Sequence, residues 1–102
     1  MRVISRKKLR ELWAKHPRAK TPLTQWYKLT AEASWRHFAD VKSTFGSVDS
    51  AKVKSGNTVY VFDIKGNDFR LIAALHFNTA IVYVLAVLTH AEYDEERWKD
   101  QL

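Results

Sequence analysis

The feature that most constrains this chain is a change of apolar period near its middle. Up to Lys42 the apolar side chains recur at three- and four-residue steps, as on one face of a helix; from Thr58 they alternate at a step of two, as on strands. A chain that changes period once places its helices first and its sheet second. The expected class is therefore α+β: a two-layer fold in the order β-α-α-β-β-β, two N-terminal helices packed on an antiparallel sheet, with a short C-terminal helix or tail. With 102 residues there is room for one core, so residues 1–102 read as a single domain.

Val3 and Ile4 read as a short first strand. Leu9, Leu12, Trp13 and His16 then mark a helix from about Ser5 to His16, which Pro17 ends because proline disfavours helical geometry in the residue before it. Thr21-Pro22 predicts a capped start for a second helix, with Leu23, Trp26, Tyr27 and Thr30 to Ala33 as its stripe. Asp40 is expected to cap a short turn, Val41 to Thr44, and Gly46 to Gly56 reads as a polar loop.

Three strands follow, Thr58 to Ile64, Phe69 to Phe77 and Ala80 to Leu88, joined by hairpins at Lys65–Asp68 and Asn78-Thr79. Closing the first on Ile64 and Phe69 sets Asp63 opposite Arg70; closing the second on Phe77 and Ala80 sets Arg70 opposite Val87. That register gives one apolar face, including Phe62, Leu71, Ala73, Val84, Ala86 and Leu88. The other is mixed, with Asp63, Arg70, Ile72, His76, Tyr83 and Val87. The mixed face can carry a polar site on a rigid support.

The charge of +6 is uneven: eleven basic and three acidic residues precede Ser43, whereas six basic and eight acidic residues follow. The cationic helical half attracts polyanions, with Arg6, Lys7, Lys8 and, further on, Lys54 as candidate RNA contacts. Apolar residues at 46% exclude a disordered chain, and the absence of cysteine excludes disulfides, thiolate metal sites and cysteine nucleophiles. A cytoplasmic location is expected: the longest apolar run, Ala80 to Leu88, is far too short to span a bilayer, and no signal-peptide pattern opens the chain. The histidines, at 16, 37, 76 and 90, show no ligand spacing, so neither a metal nor a cofactor is expected.

One end of the sheet collects Lys65, Asn67, Arg70, His90 and Tyr93. Metal-independent RNA cleavage needs a base for the 2′-hydroxyl, positive charge for the developing phosphorane and an acid for the leaving oxygen. Histidine titrates near neutrality, arginine grips phosphate with two prongs, and tyrosine stacks on a base or donates a proton. Each residue also has a plainer reading. Arg70 opposite Asp63 suits a cross-strand ion pair, His90 a solvated loop residue, and Tyr93 a cover for the sheet edge.

Four stretches, taken together in order and spacing, resemble the HigB toxins of the RelE-like superfamily. They are His16-Pro17 with Pro22-Leu23 and Trp26; Ala33-Ser34-Trp35 with Asp40-Val41-Lys42; Ile64 to Leu71; and Thr89 to Asp94. The resemblance covers nearly the whole chain. It implies a RelE-like fold, a cognate HigA-type antitoxin as partner, and cleavage of mRNA, usually on the translating ribosome. It also implies a site formed by Arg70, His90 and Tyr93, with Lys65 and Asn67 at matching positions. Asp63 departs from the asparagine that the family often carries there. The alternatives are a non-catalytic RNA- or protein-binding module of the same fold and a basic DNA-associated protein, though no helix-turn-helix pattern supports the latter.

Overall fold

A computed structural model describes all residues, 1–102. Its elements are β1 (Arg2–Ile4), α1 (Arg6–Lys15), a 3₁₀ turn (Pro17–Ala19), α2 (Lys20–Glu32), α3 (Phe38–Thr44), β2 (Asp49–Lys52), β3 (Thr58–Ile64), β4 (Phe69–His76), β5 (Ile81–Thr89), α4 (His90–Asp94) and α5 (Trp98–Gln101). The α+β class is as expected, but the sheet is mixed. Its order is β1-β5-β4-β3-β2, and β1 runs parallel to β5. The expected polar loop Gly46 to Gly56 contains the edge strand β2, which has almost no apolar alternation because only Ala51, opposite Val59, points toward packed side chains. Thr21 does not cap α2. The 3₁₀ turn leads straight into Lys20, and Pro22 is tolerated because first-turn N–H groups have no helical acceptor. Asp40 likewise lies inside α3 rather than before it, its carboxylate accepting from the Arg36 N–H at 2.9 Å.

The main core lies between the sheet and α1–α3. Phe62 of β3 is its centre, in edge contact with Trp26 at 5.4 Å and Phe45 at 5.4 Å, and stacked with Trp35 at 6.4 Å. Leu9, Leu12, Leu23 and Val41 bring the helices onto it. The β3–β4 register matches the sequence expectation, including Asp63 opposite Arg70. The β4–β5 register does not: a bulge between Ile72 and Ala73 of β4, with Leu85 the extra residue on β5, moves Arg70 opposite Leu88. A bulge changes which residues share a face. Beyond it Val87 turns to the helices, while Ala86 and Leu88 join the opposite face.

That opposite face is not an open mixed surface. Val53, Val59, Val61, Ile72 and Trp98 form a second buried cluster there, with Tyr93 and Leu102 packed against it. The acidic tail thus delivers one large aromatic to the sheet and makes a partial third layer.

Candidate active site

The hairpin between β3 and β4 turns through Lys65 (φ 54°) and Gly66 (φ 67°), two successive left-handed residues of the kind that match strand twist; the second position carries glycine, which adopts it without strain. The turn is tied by Lys65 Nζ to Asp68 Oδ2 at 3.1 Å, and Asp68 O accepts from the His90 N–H at 2.9 Å. That last bond joins the hairpin tip to the start of α4. The expectation that the hairpin and the segment leaving the last strand share one end of the sheet therefore matches the geometry.

Arg70 is the second residue of β4, on the second-cluster face, with a side chain only 13% exposed. Its Nε donates to Asp63 Oδ1 at 3.1 Å, its Nη1 to the Asn67 carbonyl at 2.8 Å, and its Cζ lies 5.1 Å from the centre of the Tyr93 ring. Five N–H groups belong to a guanidinium, so three remain without a protein partner. Asp63 thus pins the head of Arg70 through its inner nitrogen without consuming the terminal fork. Asn67 contributes its backbone oxygen, not its amide side chain. Tyr93 is half-buried, its ring stacked at 5.3 Å on Trp98, whose indole N–H donates to the Tyr93 carbonyl at 3.0 Å.

The segment after β5 is a helix rather than a loop. Thr89 and Glu92 form a reciprocal capping box, the Thr89 Oγ1 accepting from the Glu92 N–H at 3.2 Å and Glu92 Oε1 accepting from the Thr89 N–H at 2.9 Å. This sets the rotation of α4, so that Tyr93 meets Arg70 while exposed His90 pairs with Asp94, one turn on, Nε2 to Oδ2 at 3.0 Å. With Nε2 engaged, Nδ1 is the ring nitrogen left for an outside proton. Asp94 and Trp98 were missed by residue reading. The i,i+4 spacing of His90 and Asp94 and the Thr-x-x-Glu box carried a legible signal for the first; nothing local announces the second.

The four candidate RNA contacts do not gather. Lys54 lies at the far end of β3, about 20 Å along the strand from the hairpin, its N–H bound to the Lys99 carbonyl at 2.9 Å. Arg6 stacks on Tyr27 at 4.5 Å, and Lys7 pairs with Glu11 at 3.8 Å. Only Lys8 lines the groove between α1 and β5 that ends at Thr89 and Glu92. Lys15 and His16 line it too, the His16 ring 5.4 Å from that of Phe69.

No three His, Asp or Glu side chains converge as an ion-holding group. Asp40 has its carboxyl held below the ordinary range, chiefly by the Arg36 N–H, against a desolvation that opposes it and with help from nearby His37. That residue is in α3, not among the residues gathered around Arg70. No helix is long and apolar enough to cross a membrane.

Comparison with known proteins adds to this geometry. Residues 19–96 match the family model HigB_toxin, RelE-like toxic component of a toxin-antitoxin system. The chain is 32% identical over 94 residues to the mRNA interferase toxin HigB of Escherichia coli (strain K12), an alignment covering 92% of this chain and 88% of that one. It is equally similar to the mRNA interferase HigB of Shigella flexneri. Identity to the mRNA interferase HigB of Escherichia coli O6:H1 is 30% over 95 residues, covering 93% and 90%.

Proposed function

The chain belongs to the HigB family, the RelE-like toxic component of a toxin–antitoxin system, and is accordingly an mRNA endoribonuclease; from that premise we propose that Arg70, His90 and Tyr93 form its cleavage site, assisted by Lys65 and the Asn67 hairpin. The observation that carries this reading is the state of Arg70: nearly buried, held from two sides and against an aromatic ring, yet with three N–H groups left for an anion. A guanidinium with both N–H groups of Nη2 and one of Nη1 unspent is suited to two phosphate oxygens.

In the proposed reaction, His90 takes the 2′-hydroxyl proton through Nδ1 while the 2′-oxygen bonds to the adjacent phosphorus. Asp94 holds the imidazole in that tautomer and stabilises the imidazolium. Arg70 and Lys65 neutralise the charge gathering on the non-bridging oxygens. As the bond from phosphorus to the 5′-oxygen breaks, Tyr93 returns a proton to that oxygen, leaving a 2′,3′-cyclic phosphate and a 5′-hydroxyl. No metal or cofactor enters these steps. We further propose that the substrate is mRNA on translating ribosomes in the cytoplasm, with the basic α1 surface docking to ribosomal RNA, and that the partner is a HigA-type antitoxin.

Mapping transcript ends after brief expression, with and without ribosomes, tests the function; intact transcripts during growth arrest would support the non-catalytic alternative. A substrate with sulfur in place of the bridging 5′-oxygen tests the proton assignments, because such a leaving group needs no acid. It should restore cleavage by Tyr93→Phe but not by His90→Ala; the opposite pattern exchanges the two roles. Activity should persist in a chelator that leaves the ribosomes intact.

A further inference from the structure

Strand β5 changes character along one edge. β1 pairs with it only as far as Tyr83, so from Val84 to Thr89 the side away from β4 has no strand partner. Alternation along an antiparallel ladder fixes which backbone groups turn that way. His90 donates its N–H across the ladder to Asp68 O, whereas the Thr89 N–H is turned away and donates to Glu92. Two residues earlier the same parity holds: Leu88 faces β4, and Val87 presents its N–H and C=O to the groove between β5 and α1.

That groove has a volume of about 480 Å³, with Leu12, Leu85 and Val87 among its apolar lining and Lys8, Lys15 and His16 on the α1 side. Glu11 and Glu92 also line it, but Glu11 pairs with Lys7, and Glu92 closes the cap of α4. Lys8 and Lys15 have no carboxylate partner. Open strand edges take up extended polypeptide, whose alternating N–H and C=O groups continue the ladder. A nucleic acid has no such row, and no Phe, Tyr or Trp lines the groove as a stacking platform. Two unpaired lysines select acidic side chains in the incoming strand.

We propose that an extended, acidic segment of the antitoxin adds a strand to β5 along Val84 to Thr89, beneath Lys8 and Lys15. This rests on the family reading that an antitoxin exists, and goes beyond it in naming the surface and the chemistry of the segment. Because the edge ends one residue before His90, a strand seated there lies against the entrance to the cleavage site. Binding and inhibition are then coupled by position.

The test is hydrogen exchange, resolved to single amides, on the full chain alone, co-purified with its co-expressed antitoxin, and mixed with an oligodeoxyribonucleotide that cannot be cleaved. The Val87 amide should slow by about tenfold or more in the protein complex and not with the oligonucleotide. A complex that forms without slowing Val87 overturns the proposal while leaving the toxin–antitoxin reading intact; failure to form any complex overturns both. Slowing by the oligonucleotide alone assigns the groove to nucleic acid and also overturns it. As a second measure, Val87→Pro removes the outward N–H without touching the β4 ladder, and should weaken the complex by about tenfold, the worth of one backbone hydrogen bond. Lys15→Glu should weaken it too and reduce its salt dependence. Unchanged affinity in both variants counts against the strand.

Discussion

Replacing Arg70 by lysine keeps a positive charge at the site and removes its geometry, which separates the two contributions of this residue. In the native protein Asp63 and the Asn67 carbonyl fix two of the N–H groups and Tyr93 lies beside the guanidinium, so the remaining three are delivered without further ordering. An ammonium cannot reproduce this: its three N–H groups diverge from one nitrogen on a flexible stem, so it cannot hold Asp63 and also present a planar pair of donors to the phosphate. Loss of one preorganised donor to a developing anion costs about 2.7–4 kcal/mol, so Arg70→Lys should slow cleavage roughly a hundred- to a thousand-fold, and Arg70→Ala at least as much. The alanine variant also leaves Asp63 without its partner. For a pair intermediate between surface and interior, 13% and 30% exposed, that costs about 1–2 kcal/mol of stability. In a chain of this length, that is a fall in Tm of about 5–15 °C. The assay is single-turnover cleavage of a translated transcript at saturating protein, with Tm measured in parallel so that unfolding is not mistaken for lost chemistry. A folded Arg70→Ala protein cleaving within about threefold of the native rate would refute the reasoning, because no preorganised donor is worth so little.

His90→Ala should slow cleavage by about a hundred- to ten-thousand-fold, the usual worth of a positioned proton-transfer group, and Asp94→Asn by much less, both read in the same single-turnover assay. Trp98→Ala should lower stability by about 3–5 kcal/mol in urea titration, because Trp98 is buried in the second cluster; a loss below about 1 kcal/mol would contradict its packing on the sheet. Asp40 has a carboxyl pKa below its unfolded value, so its stabilising contribution is complete above the unfolded value and is lost as the pH falls through the folded one. Asp40→Asn should therefore flatten the decline of stability below about pH 4, measured by thermal unfolding across pH.

Local signals in the sequence settled most of the elements and one side of the candidate site. The change of period separated helices from strands, and the Lys65-Gly66 turn fixed the β3–β4 register, hence Asp63 opposite Arg70, because a hairpin's pairing follows from its turn. The Thr89-x-x-Glu92 box equally belonged to the local code, being a contact of one helical turn. Three features did not. The bulge at Leu85 exchanges the faces of Val87, Ala86 and Leu88, and β5, apolar on both faces from Val84 to Leu88, carries no alternation that would reveal it. Strand β2 has little hydrophobic pattern and exists through its pairing with β3. The seating of Trp98 on the second face depends on where a polar tail comes to rest. Residue identity and hairpin register bring the candidate residues to one end of the sheet, whereas the contacts of Tyr93 with Arg70 and with Trp98 are decided by long-range packing, because they join β4 to a tail whose course no local pattern fixes.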